Sequence, residues 1–279
     1  FSGVGAEVAN GQGYRTVALI YAIISIPLFL IVFFTSKEVV QPKGDPQPFS
    51  FKDTVNNLIK NKYLMIVTFV MVLQMTAFMG RIAITSYYVI YCLGSFTMIA
   101  LIMTIPSIGG IIGSFCVPFF AKKFGKRNVL MWSMIIQGIG LIVMYLAPFD
   151  NMKMVLTGDV IFGLFNVGFP MSLSMVADSV DYMELRTGIR TDGTAYATYG
   201  LATKIGNAIG GAFGILIMSA FGYVANAQQT AQALKGINFT VNLLPAILFF
   251  LAAAMCLLWK MTDKEADDIR AQLREKHNV

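Results

Sequence analysis

Lys204 lies inside a run of apolar and small residues, 194–222, in which it is the one charged side chain. If that run is a helix, Lys204 is about 15 Å from its start at 1.5 Å per residue, the middle of an apolar layer about 30 Å thick. A lysine near an end can snorkel to water, but from the centre this is hard. Holding it there costs about 2.5–3.5 kcal/mol on insertion scales, a cost retained where the charge faces a cavity or a partner. Tyr196, Gly200, Asn207 and Gly211 share its helical face. One aromatic, one amide and two gaps suit a polar cavity. Gly206, Gly210 and Gly214 recur at every fourth position on another face, a small-residue ridge for close helix packing.

Other charges stand in or beside apolar runs. Arg81 sits in the unusually long run 63–93, which as a helix would measure about 46 Å and must tilt, break near Gly80 and Arg81, or project beyond the layer. The sequence leaves open whether Arg81 lines a pathway or sits at an interface. Asp159 is near one end of its run, where interface water can meet it. Gln74, Gln137 and Asn166 are neutral and suit interhelical hydrogen bonding. Asp178, Asp181, Glu184, Arg186, Arg190 and Asp192 make a segment dense in both signs between two runs. Exposed pairs worth under about 1 kcal/mol each suit a reversible latch, so this segment is read as a gate.

No catalytic constellation competes. The single histidine, His277, is in the polar tail, and Cys92, Cys116 and Cys256 fall in apolar runs without metal-ligand spacing. There is no paired-carboxylate pocket and no phosphate-binding loop. The expectation is a protein that is not an enzyme and has no metal or cofactor.

The elements that position these residues follow from composition. Of 279 residues 56% are hydrophobic and 13% charged, against about 25% charged in soluble domains. Mean hydropathy is +0.67. The apolar runs predict seven membrane-spanning helices at 16–35, 63–93, 96–120, 129–146, 154–176, 194–222 and 239–259, since only helices satisfy their backbone within one segment. Counting basic residues by side gives 16 on one, 3 on the other and 2 within spans, for a total of 21. The richer side is predicted to be cytoplasmic. The net charge of +6 is then a topology signal, and nucleic acid is a poor partner. The 27-residue linker 36–62 carries Pro42, Gly44, Pro46 and Pro48. Within it, 51–58 has an amphipathic face suited to the membrane surface. The tail opens on Thr262 and Glu265, a capping-box pattern, and reads as a short solvated helix.

A lone helix, a charged linker and six closely spaced spans look like the end of one half of a transporter, its central loop and its second half. The predicted divisions are 1–36 for the last helix of an N-terminal bundle, 37–62 for a cytoplasmic central loop, 63–260 for a six-helix bundle and 261–279 for a cytoplasmic tail. The chain opens on Phe1 with no signal-peptide pattern and reads as a piece whose N-terminal bundle lies upstream.

The segment Val176-Ala-Asp178-Ser-Val-Asp181-Tyr182, the polar run to Arg190, Ala195-Tyr196 and the span carrying Lys204 resemble the melibiose-permease type of cation-coupled sugar symporter, in the glycoside–pentoside–hexuronide family. Tyr87-Tyr88-Val-Ile-Tyr91-Cys-Leu-Gly94, Gly222-Tyr223-Val224 and 228–234 extend the resemblance over nearly the whole chain. The turn Lys122-Lys-Phe-Gly125-Lys-Arg127 looks like the basic glycine-containing turn of the major facilitator superfamily, with Lys122 in place of the usual acid. The resemblance implies an all-α major facilitator fold of two bundles with sugar between them. It implies that Lys204 stands near the cation and sugar sites and that Phe169 replaces a sugar-stacking tryptophan. Tyr199 and Gly200 replace a Gln-Thr pair, which leaves the sugar open. An aromatic pair of Phe169 and Tyr199 suits the apolar face of a sugar ring. The acids that bind the coupling cation, Na⁺ or H⁺, would belong to the N-terminal bundle.

Three functions are weighed: sugar symport driven by Na⁺ or H⁺ in the cell (inner) membrane, export of amphipathic drugs or lipids, and a non-transporting membrane sensor. A midplane lysine in glycine-rich spans speaks against the last, and the symporter is preferred. The basic-residue asymmetry makes one direct prediction. A reporter fused at Val279 should be active only when cytoplasmic; periplasmic activity would refute the orientation.

Overall fold

A computed structural model describes residues 11–36, 56, 58–225 and 227–277. The amphipathic segment expected at 51–58 lies almost wholly outside them. The chain divides into two compact units, Phe1–Phe49 and Ser50–Val279. Every regular element among the described residues is helical, and seven stretches are long and apolar enough to cross a membrane.

In the first unit a single helix, α1 (Gly11–Thr35), carries Pro27 in its interior. Large apolar side chains such as Ile20, Ile24, Phe29 and Phe33 are exposed around it, as a helix surrounded by hydrocarbon allows.

The second unit holds the other six spans. The first is α2 (Lys62–Tyr87), which runs without interruption past Gly80 and Arg81 and finishes in a π-helical turn, Tyr88–Cys92. Of the three alternatives for this long run, a break at Gly80 and Arg81 is absent, and Gly80 instead packs closely on Gly210. Next come α3 (Met98–Phe124) and α4 (Lys126–Leu146), joined by Gly125 at a φ of +83°. The run expected as one helix at 154–176 is two, α5 (Met152–Leu164) and α6 (Gly168–Thr187). The cause is Pro170: it has no N–H for the carbonyl of Asn166, and its ring clashes with that carbonyl in a continuous helix. α6 also absorbs most of the acidic–basic segment expected as a loop, and ends at Gly188 in the left-handed region, φ +72°. α7 (Asp192–Ala220) follows. The last span starts earlier than expected, as α8 (Ala231–Asn238), a π-turn (Phe239–Leu243) and α9 (Leu244–Cys256). The tail helix α10 (Asp263–His277) is not simply solvated. It buries Ala266, Ile269 and Leu273 and packs on α6, while Thr262 Oγ1 accepts the Glu265 N–H at 3.2 Å.

Alternation along the chain puts the start of α2, the Gly125 turn, the α6–α7 connection and the tail at one end, the basic one. α2 is central, packed against α6, α7 and α9. Its tightest contact is with α7, at the expected glycine ridge. A Cβ on Gly210 would stand 2.5 Å from Thr76 O and 2.7 Å from Gly80 N, and one on Gly206 2.6 Å from Met75 Cβ. Gly140 and Gly158 bring α4 against α5 in the same way. Close approach of backbones, with the dispersion it gains, replaces the hydrophobic drive that lipid cannot supply.

Gly210→Ala should therefore destabilise the protein by about 1–3 kcal/mol through overpacking. Gly211→Ala, where a Cβ meets nothing within 4 Å, should be neutral or slightly stabilising. Thermal unfolding in detergent compares the two; equal melting temperatures would show that the ridge is not a tight contact.

Candidate functional site

The break between α5 and α6 opens onto a cavity of about 810 Å³. α2 contributes Met75, Phe78 and Met79, α3 contributes Ser107 and Ser114, the break contributes Asn166, and α7 contributes Thr203 and Asn207. Phe169, from the first turn of α6, is at its edge and half exposed. The lining is neutral. Ser107 donates to Met103 O (3.3 Å), Ser114 to Gly110 O (2.7 Å) and Thr203 to Gly200 O (2.7 Å). Those hydroxyl protons are committed to their own helices, so their oxygens remain as acceptors.

The break itself is held by side chains. Gln137, fully buried on α4, donates to the carbonyl of Phe165 at 3.0 Å, a group the interrupted helix no longer serves. Gln74 of α2 packs so closely on Gly168 that no Cβ fits there. The Gln137 amide, expected only to join helices, thus stabilises irregular backbone at membrane depth, which is tolerated where it lines a cavity.

Of the expected site residues, Phe169 and Asn207 line this cavity. The Phe169 and Tyr199 rings are 5.9 Å apart and tilted by 54°. The Tyr199 hydroxyl donates to Phe169 O at 3.3 Å, so Tyr199, nearly buried, supports Phe169 from behind. Lys204 and Tyr196 are exposed on the face of α7 that carries Asn207. Among the described residues no acid pairs with Lys204.

Arg81 is elsewhere. It is 2% exposed, and Arg81 Nη2 donates to Asp159 Oδ1 at 2.5 Å, with Asp159 at 0%. The guanidinium also contacts Met144 Sδ (3.4 Å) and lies 4.4 Å from the Phe162 ring centroid. The pair ties α2 to α5 inside the bundle. Asp159, expected to meet interface water, is dry because Gly158 and Gly140 bring α4 over it.

The acidic–basic segment separates into two clusters at the basic end. Arg190 bridges Glu184 (2.6 Å), Asp181 (3.3 Å) and both oxygens of Asp192 (2.5 and 3.0 Å). Partial burial alone would lower the Arg190 pKa, but its bonds to Asp192 and Glu184 outweigh this and raise it above the usual arginine value. Arg186 is apart, donating to the Tyr182 hydroxyl at 2.6 Å. Asp178 turns the other way, to Lys126 Nζ (2.6 Å) and Arg270 Nη2 (3.9 Å). Asp263 of the tail helix accepts the Lys126 N–H at 3.1 Å, capping the first turn of α4. Sequence reasoning missed Lys126 and the tail as partners of this segment. The signal was the apolar spacing of Ala266, Ile269 and Leu273, which marks a packed face.

A family model described as MFS/sugar transport protein matches residues 2–263. The chain is 32% identical over 275 residues to an isoprimeverose transporter of Lactiplantibacillus pentosus, covering 98% of this chain and 57% of the relative. It is 28% identical over 274 residues to a putative sulfoquinovose importer of Escherichia coli K12, covering 95% and 57%. It is 25% identical over 272 residues to a glucuronide carrier protein homolog of the same strain, covering 95% and 58%. The chain thus spans a little over half the length of these relatives.

The Arg81–Asp159 geometry makes a prediction independent of substrate. Arg81→Met or Asp159→Leu alone should cost about 3–5 kcal/mol by leaving an unpaired buried charge, and the double substitution should recover much of that loss. Membrane level and melting temperature report it; additive losses would sink it.

Proposed function

The chain belongs to the MFS/sugar transport protein family, and we propose that its six-helix unit forms one wall of the pathway of a sugar symporter driven by Na⁺ or H⁺. The observation that carries this reading is the broken span: Asn166 and Phe169 present an amide and an aromatic ring to a neutral cavity in which Ser107, Ser114, Thr203 and Asn207 stand among apolar side chains. Sugar hydroxyls need many uncharged partners, and a ring face needs an aromatic. An exporter of amphipathic molecules needs neither so densely. The names of the relatives, an isoprimeverose transporter, a sulfoquinovose importer and a glucuronide carrier homolog, agree with a glycoside, pentoside or hexuronide as substrate.

In this reading the opposite wall is an N-terminal bundle of the same protein, whose acids hold the coupling cation as a co-substrate. Lys204 faces that wall from the middle of α7 and links sugar occupancy to cation occupancy. Asp181, Glu184, Arg190 and Asp192 form a cytoplasmic gate whose pairs break and reform in each cycle. The membrane is the cell membrane, and the C-terminus is cytoplasmic.

The test pairs two residues in the complete protein. Lys204→Met should reduce cation-driven uptake by at least about tenfold at unchanged membrane level, because removing a charge at membrane depth eases insertion. Lys204→Arg should rescue poorly, its planar fork being larger and bonding differently. Phe169→Ala should weaken sugar binding up to about tenfold, the worth of one aromatic contact. Normal coupled uptake in Lys204→Met would return Lys204 to a structural role.

A further inference from the structure

A second groove, of about 440 Å³, lies between α3 and α4. On α3 it is lined by Ile112, Cys116 and Phe120, whereas Ser107, Ile111 and Ser114 line the polar cavity. At about 100° per residue these sets occupy opposite faces of the helix. The groove's floor is Leu164, Phe165 and Val167, so it reaches the same helix break from the other side. Its wall on α4 includes Trp132, which is 56% exposed. No charged residue lines it.

Its mouth at the basic end is different. Phe124 and Asn128 form the rim there, and each holds a cation. Lys123 Nζ stands 5.2 Å from the Phe124 ring centroid. Arg127 donates from Nε and Nη2 to Asn128 Oδ1 at 3.2 and 3.1 Å and from Nη1 to Trp259 O at 3.3 Å. Among the described residues neither cation is paired with an acid, whereas neighbouring Lys126 is committed to Asp178. An uncharged apolar slot at membrane depth, ending in two cations at the interface, has the charge distribution of a single amphiphile with an anionic head. Free phosphate would make no use of the slot, and a neutral lipid would make none of the cations.

We propose that this groove is a binding site for an anionic phospholipid, with an acyl chain along Ile112, Cys116, Phe120 and Trp132 and the headgroup phosphate between Lys123 and Arg127. The chain's end lies against Phe165 and Val167, so lipid occupancy touches the segment that presents Asn166 and Phe169 to the cavity.

Bromine on an acyl chain quenches a tryptophan that it touches, which makes Trp132 the probe. The complete protein is placed in phosphatidylcholine nanodiscs doped at equal mole fraction with brominated phosphatidylglycerol or brominated phosphatidylcholine. The Trp132 signal is the difference between the protein and its Trp132→Phe variant, which keeps an aromatic ring in the groove. The brominated phosphatidylglycerol should bind at least about fivefold more tightly, the preference that one interfacial cation confers. Lys123→Gln should reduce that preference, and Lys123→Arg should keep it. Equal quenching by the two lipids would overturn the proposal, since Trp132 would then face bulk lipid. No quenching by either would also overturn it, because a second copy or another segment would cover the groove. A preference unchanged in Lys123→Gln would refute the placement of the headgroup.

Discussion

A backbone carbonyl or amide left without a partner in hydrocarbon costs several kcal/mol, so a spanning helix is interrupted only where other groups supply its bonds. The interruption between α5 and α6 meets that demand with few parts. Gln137 serves the carbonyl of Phe165, and the N–H groups of Asn166 and Val167 find Gly163 O and Phe165 O at 3.1 and 2.8 Å. Gln137 comes from α4, and Gln74, against Gly168, comes from α2. Three spans are thereby fixed around one short irregular stretch. That stretch, unlike a helix, can aim an amide and an aromatic ring from adjacent turns into one cavity.

The two half-helices are anchored by ion pairs of different character. Arg81–Asp159 holds α5 in a dry interior, with Arg81 Nε and Asp159 Oδ2 making no hydrogen bond. Dissociating it would strand two charges, so it acts as a fixed joint. Lys126–Asp178 and the Arg190 cluster hold α6 and its connection to α7 near water, with Lys126 and Arg190 partly exposed. Asp178 and Glu184 are buried, so their bonds cost more to open, while water can replace the exposed Arg190–Asp192 pair at small cost. The span is thus stiff at one end and exchangeable at the other. In the proposed cycle this lets the basic end open while the half that carries α5 stays fixed against α2 and α4.

Much of this was legible in the sequence. Run length and charge placement located the helices, and the period of Gly206, Gly210 and Gly214 marked a ridge for close helix packing, though not its partner α2, because close packing needs small residues at a helical repeat. Lys204 and Asn207 stood out because they are polar in an apolar run, whereas Phe169 and Tyr199 were pointed to by the family resemblance alone. The break was missed: hydropathy averages across it, although Gly163, Gly168 and Pro170 mark it once steric and hydrogen-bonding needs are weighed separately. Arg81–Asp159 was missed as a pair because 78 residues separate its members, and no local pattern encodes such a contact. The docking of α10 was missed because its surface charges hid a narrow apolar stripe.

The cavity's electrostatics follow from helix chemistry. Ser107, Ser114 and Thr203 each spend their one proton on a carbonyl of their own helix, the usual resort of a hydroxyl on a helix in a medium without water. What they show the cavity is lone pairs. These few acceptors, set among mostly apolar side chains, suit groups that bring protons: sugar hydroxyls, which donate as readily as they accept, and, in the proposed reading, the Lys204 ammonium, with three donors on a mobile stem. Acceptors on α3 and α7 can therefore serve either one. In the proposed reading an ammonium that is drawn away by acids on the facing wall leaves those oxygens to the sugar, and one that is not competes for them. Sugar affinity would then depend on where the lysine sits, with no change in the shape of the wall. In the proposed reading it is one helix face, carrying both Lys204 and the cavity's own Asn207, that couples the two.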